Sequence, residues 1–187
     1  MKFTKMHGLG NDYIYVNGFQ EQVDNPAEVA RAVSDRHFGI GSDGLILILP
    51  STHADFRMRM FNADGSEAQM CGNGIRCLAK YVYDHGMTQH TTIQVETLAG
   101  VLALQLFPHS GVVEKVRVKM GEPRLERAQI PMQGPAGRVL QEALVVDGTV
   151  FEITAVSIGN GHRRRNTGRR TNRGGLAVFL PQGTCAD

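Results

Sequence analysis

The sequence predicts an α+β fold. Three observations carry that prediction. Short apolar or alternating segments recur along most of the 187 residues, only two stretches have helical spacing, and the second of these lies among the strands rather than at an end.

KFTKMHG reads as a short first strand and HGLGND as a loop with two glycines. YIYVNG, rich in aromatic and β-branched residues, is the second strand. Asn25 followed by Pro26 starts a helix, because asparagine caps well and proline fits the first turn. This helix should run through AEVARAVSDRH with Val29, Ala32 and Val33 on one face, followed by a loop holding Gly39 and Gly41. GLILILP, an apolar run between Gly44 and Pro50, has the pattern of a buried strand. DFRMRMFN alternates apolar and basic residues, as a half-exposed strand does. Ile75, Leu78, Ala79 and Val82 follow i, i+3, i+4, i+7 spacing and predict a helix from about Cys71 to His85, ended by Gly86. TTIQVET, VLALQLF and VVEKVRVKM return to period two as three strands, with Gly100 in the first turn. Residues 121–142 read mostly as loop. ALVV and TVFEITAVSI form a hairpin across Asp147-Gly148, since Asp-Gly suits a two-residue type I′ turn.

The formal charge of +2 is uneven. Residues 163–187 hold six arginines and one acid and carry +5, which leaves −3 on residues 1–162. The arginine-rich segment has no aromatic residue among its arginines, so base stacking is absent and no nucleic-acid partner is expected. No apolar run is long enough to cross a membrane, and MKFTKMHGLGNDY lacks the apolar stretch and cleavage site of a signal peptide. A cytoplasmic protein with no membrane partner is expected. Three cysteines, an odd number, fit reduced thiols better than a disulfide framework.

The stretch NADGSEAQMCGNGIRC concentrates the chemistry. Cys71 at the start of a helix meets the positive end of the helix dipole and the unpaired N–H groups of the first turn. Both favour thiolate over thiol. Gly72 and Gly74 leave the first turn bare, so a carboxylate could approach its N–H groups beside the sulfur. Such a pair suits removal of a proton from the carbon next to a carboxylate. CGNG alone does not establish this, since a structural cysteine in a turn is the commoner case. Cys77 lies on another helix face and reads as a small core residue. Cys-x5-Cys is poor spacing for zinc, and no Cys or His pair completes a site, so no metal is expected. His7, His37 and His162 could each be a satisfied polar residue, and Asp64, Ser66 and Glu67 solvated loop residues.

MHGLGND at 6–12, GIGSDG at 39–44, FNADGSEAQMCGNGIRC at 61–77, MGEP at 120–123 and VSIGNGH at 156–162 occur in that order. Together they closely resemble the diaminopimelate epimerase family over residues 1–162. The resemblance implies two similar halves, each a mixed sheet wrapped around a central helix, with the active site between them. It implies interconversion of LL- and meso-diaminopimelate, in the route to lysine and peptidoglycan, without pyridoxal phosphate or metal. Two cysteines would face the α-carbon from opposite sides, one removing a proton as thiolate and the other returning one as thiol. Cys71 matches the first of these. Gly72 and Asn73 match contacts to the substrate, as do Asn11, Asn62 and Asn160, and His162 matches a histidine that tunes a catalytic cysteine. The family usually has proline where this chain has Gly161, and nothing carries over to Gly44, where some relatives have glutamine. Intact members are commonly homodimers.

The resemblance divides the chain into a first half-domain over 1–118 with Cys71, the start of a second over 119–162, and a basic tail over 163–187 expected to be disordered. The family's second helix-start cysteine, in a Cys-Gly-Thr/Ser-Gly pattern, has no match after His162, and Cys185 in QGTCAD does not replace it. A truncated chain, inactive alone, is therefore expected. The tail has two readings, a shift of reading frame near His162 or a divergent disordered segment. Two other functions stay open: a non-catalytic binding module that kept half the fold, and another racemase or isomerase acting next to a carboxylate.

Overall fold

The computed structural model describes residues 1–130, 132–158 and 160–165, with the backbone alone for Ile158 and residues 160–165. The rest of the basic tail, with Cys185, lies outside the described residues. Two compact units are present, Met1–Lys119 and a second that begins at Met120.

In the first unit, β1 (Thr4–Gly8) and β2 (Asn11–Asn17) form a hairpin. Its two-residue turn, Leu9-Gly10, has positive φ at both positions, 55° and 83°. That turn suits the right-handed twist of the paired strands, so HGLGND is a tight turn rather than an open loop. β3 (Gly44–Leu49) pairs parallel to β2 and antiparallel to β4 (Phe56–Asn62). The short β5 (Glu67–Ala68), which has no periodic trace in the sequence, folds back on β4. β6 (Thr92–Thr97) runs parallel to β4, and β7 (Gly100–His109) and β8 (Val112–Val118) follow as antiparallel hairpins. The result is a mixed eight-stranded sheet in the order β1-β2-β3-β4-β6-β7-β8, with β5 on β4.

Two helices cover this sheet, α1 (Pro26–Ser34) and α2 (Gly72–Asp84). α2 packs Ile75, Leu78, Ala79 and Val82 into the main core, as their spacing predicts. Burying Ile75, Leu78 and Val82 contributes on the order of 2 kcal/mol each. Successive residues of β2 and β3 divide between the helices. Tyr13, Tyr15, Ile46 and Ile48 join the α2 cluster, while Ile14, Val16, Leu45 and Leu47 join the α1 cluster. GLILILP is apolar throughout because both faces of β3 are buried.

α1 is shorter than its sequence pattern predicts. The Asp35 carboxylate accepts the amides of His37 and Phe38, each at 2.7 Å, and the chain turns there instead of continuing to His37. Ala30, not Ala32, is the buried alanine of its apolar face.

The second unit contains β9 (Glu142–Val146), β10 (Thr149–Ile158) and β11 (Asn160–Arg165), antiparallel in the order β11-β10-β9. Asp147 and Gly148 have φ of 50° and 74°, as a type I′ turn requires. Among the described residues before β9, one 3-10 turn (Arg127–Gln129) and two isolated bridges interrupt the loop. Arg127 is buried there and pairs with Glu142. Ile130, Val139, Phe151, Ile153 and Ala155 form this unit's core.

Gly44 is held to glycine by space. A Cβ there would lie 2.0 Å from the Phe61 carbonyl oxygen, across the β3–β4 pairing. Gly86, at φ 68°, has nothing within 4 Å of such a Cβ. Gly44→Ala should therefore cost about 3 kcal/mol or more in urea unfolding, because backbone must move. Gly86→Ala should cost only about 1 kcal/mol, the local penalty of a left-handed conformation. Equal losses would show that space at Gly44 is not the constraint.

Candidate active site

The site grows from the seat of α2 against the start of the sheet. Cys71 is the N-cap of α2, with extended backbone at φ −135° and ψ 118°. Its Sγ accepts the Gly74 amide at 3.4 Å, and its carbonyl accepts the Ile75 amide at 2.9 Å. The Gly72 and Asn73 amides belong to the same first turn, where a helix supplies no acceptor of its own. An anion placed there meets two donors and the positive helix end.

Space confines two glycines. A Cβ on Gly74 would lie 2.7 Å from Ile46 Cδ1, and one on Gly8 would lie 3.2 Å from Asn73 Cβ. The bare first turn therefore lets α2 press against β3 and lets the end of β1 approach Asn73.

Asn11, at the start of β2, reaches Cys71. The thiol donates to Asn11 Oδ1 at 3.3 Å. Asn11 Nδ2 donates to Asp43 Oδ2 at 2.6 Å, and the Asp12 amide donates to the same oxygen at 3.0 Å. Arg36 Nη2 completes the cluster, 2.8 Å from Asp12 Oδ1 and 3.0 Å from Asp43 Oδ1. Tyr13, from the same strand as Asn11, puts its hydroxyl beside Asn11 and Cys71, and burial pushes its phenol up. Cys77 is buried deeper in the core. Burial pushes its thiol up, opposed by a hydrogen bond from Tyr15.

Asn11, Cys71, Gly72 and Asn73 thus converge. Asn73 also takes a hydrogen bond from Arg76. Asn62 ends β4 opposite Gly44, on the same sheet border, but its Nδ2 donates to Ser66 Oγ at 3.0 Å within a turn. Asn160 and His162 fall on β11, where their side chains lie outside the described residues. Reading the residues one by one misses Asp43, Tyr13, Asp12 and Arg36 as parts of the site. HGLGND holds Asp12 and is followed directly by Tyr13, and GIGSDG holds Asp43, whereas Arg36 lies outside both motifs. Among the described residues no group of three His, Cys, Asp or Glu side chains could hold a metal ion.

A mixed sheet packed on a central helix defines a class of fold. It is shared with a hydroxyproline epimerase from Agrobacterium vitis, solved with bound trans-4-hydroxy-L-proline, at a TM-score of 0.58 and 14% identity over 87% of this chain and 50% of that one. The diaminopimelate epimerase model matches residues 3–126, and this chain belongs to that family. A diaminopimelate epimerase of Acetivibrio thermocellus is 60% identical over 162 residues, and one of Pelotomaculum thermopropionicum 59% identical over 165 residues. Each alignment covers 87% of this chain, and the chain spans 58% and 59% of the two relatives.

Arg36, helped by Lys5, holds the Asp12 carboxyl at about 2, below its ordinary 3.8, against the opposing effect of burial. A depressed carboxyl stabilises the fold above its unfolded value, and that stabilisation is lost as pH falls toward 2. Arg36 is exposed, with 55% of its side chain accessible, so solvent and salt screen the effect. Arg36→Ala should lower stability at pH 7 in urea unfolding, and its difference from the parent should shrink as pH falls from about 4 through 2. A difference that does not vary with pH would refute this origin.

Proposed function

We propose that this chain is the first half of a cofactor-independent epimerase that interconverts LL- and meso-diaminopimelate. The observation that carries this reading is Cys71 at the start of α2, its sulfur on the Gly74 amide and next to the first-turn amides of Gly72 and Asn73. Identity of 60% to a diaminopimelate epimerase supports the substrate, where the fold alone would not separate it from other racemases.

In this reading the substrate α-carboxylate binds the Gly72 and Asn73 amides. That contact withdraws charge from the α-carbon as its proton leaves. Cys71 as thiolate removes the proton. The electron pair of the broken C–H bond moves into the carboxylate, and a second thiol on the opposite face donates a proton to the carbon. Asn11, Asn62, Asn73 and Asn160 fix the substrate, and His162 tunes a catalytic cysteine. The second thiol is not among the described residues. The two described cysteines, Cys71 and Cys77, are free thiols, which fits work in the cytoplasm. At full length the protein acts as a homodimer.

In a gene product of the relatives' full length, Cys71→Ser should slow solvent-deuterium incorporation at the α-carbon by about 10²-fold or more, because serine is rarely ionised near neutral pH. Cys77→Ser should change it less than about threefold, since that thiol lies in the core. Equal losses would overturn the assignment. The 187 residues alone should give no conversion of LL- to meso-diaminopimelate, because one thiol cannot serve both faces. Turnover comparable to an intact relative would show that a second proton carrier is present in this chain.

A further inference from the structure

Asp43 fixes which end of the Asn11 amide faces the catalytic cysteine. A carboxylate has no proton to donate, so the group 2.6 Å from Asp43 Oδ2 must be the Asn11 NH2. The amide is planar, and its oxygen is thereby turned toward Cys71 Sγ, 3.3 Å away. Asp43 is itself held from several directions. Arg36 grips Oδ1, the Asp12 amide donates to Oδ2, and the backbone is tied by Asp43 N to Asp12 O at 2.7 Å and by Ala63 N to Asp43 O at 3.1 Å. The amide cannot turn over without setting its carbonyl oxygen against the carboxylate.

We infer that Asp43 is a positioning residue that, through Asn11, keeps a proton on Cys71 while the site is empty. An oxygen facing sulfur accepts from S–H and repels a thiolate, so it favours the protonated form. The opposing donor is the Gly74 amide at 3.4 Å. With both contacts in place, the sulfur accepts from one side and donates to the other, as a thiol does. The inference rests on the proposed role of Cys71 and adds which half of the proton exchange the empty site is set for. Cys71 stands ready to give a proton, and serves as base only after that proton has left.

Tyr13, from β2, sets its hydroxyl beside this sulfur as a further donor, while Tyr15 of β2 and Cys77 of α2 lie in the core behind it. Arg76 is engaged with Asn73, and Arg36 and Asp12 lie behind Asp43. β1 presents Gly8 at the first turn of α2. Asn11 is the side-chain amide in contact with the sulfur, and which of its ends faces the sulfur decides whether it opposes or supports a thiolate.

The test measures alkylation of Cys71 by iodoacetamide against pH in the 187-residue chain, with the modified peptide identified by mass spectrometry. It needs no substrate, so it can fail while the epimerase reading stands, and the reverse. Asp43→Asn lets the Asn11 amide turn its NH2 to sulfur. The pH profile should shift down by about one unit, a tenfold gain in rate on its rising limb, with an unchanged plateau at high pH, since only the thiolate reacts. Asn11→Ala, which removes the accepting oxygen, should shift the profile in the same direction. In the Asn11→Ala background Asp43→Asn should add less than about twofold, because both act through one contact. Buried Cys77 should stay unreactive in every variant that folds. If Asp43→Asn exposes Cys77, Asn11→Ala against the parent decides alone. An unmoved profile in Asn11→Ala overturns the inference. So does an Asp43→Asn shift that persists without Asn11, which would mark a through-space charge effect.

Discussion

The fit of the first turn of α2 onto β3 is the constraint from which the rest follows. Gly74 lies so close to Ile46 that a side chain there would displace a fully buried residue. Its carbonyl, which ordinary helix bonding would leave to the next turn, also takes the buried Tyr15 hydroxyl at 3.1 Å. That contact pins the helix start to β2 as well. With the start fixed, the 3.6-residue period carries Ile75, Leu78 and Val82 into the sheet without further choice. The same fit places Cys71 one step before the turn, with its sulfur over the sheet border where Asn11 begins β2.

Cys71 and Cys77 show how much position within one helix decides. Both are thiols on α2 or at its cap, six residues apart. Cys77 faces the core, where desolvation disfavours charge and the Tyr15 hydroxyl offsets only part of that cost. Cys71 is half-buried at the helix end and has one N–H donor and one amide oxygen on its sulfur. Burial seals the first in the core, and the cap leaves the second half-buried at the helix end. Residue type alone could not separate them.

Much of the fold was legible because burial leaves a period. α2, β3 and the Asp147-Gly148 hairpin follow from spacing and turn chemistry that act over a few residues. What stayed hidden acts at a distance or has no period. β5 is two residues long and is defined by its pairing to β4. The end of α1 was decided by the Asp35 side chain competing with the helix for backbone amides. At the site, Cys71 was readable from its place before a bare turn, whereas the Asn11–Asp43 hydrogen bond joins residues 32 apart and has no local signature. Asn62 shows the converse. Its match to a substrate contact is a matter of motif, while its side chain here is engaged with Ser66.

The topology explains why these distant residues meet. β2 and β3 are parallel neighbours, so the chain must cross over between them, and α1 makes that crossing. Parallel strands that are paired in register start at the same border of the sheet. Asp12 and Asp43, each just inside or just before its strand, are therefore adjacent, and the Asp43 amide donates to the Asp12 carbonyl. Two carboxylates at one border repel unless a cation stands between them. The segment after α1 returns to that same border to enter β3, and it carries Arg36, whose guanidinium contacts both acids. The Asx turn at Asp35 stops the helix one residue before Arg36, so the arginine leaves the helix where it can reach back. The crossover that satisfies the sheet thus also brings a counter-ion, Lys5 of β1 supplies a second to Asp12, and the pair so neutralised is what can hold Asn11 against the cysteine.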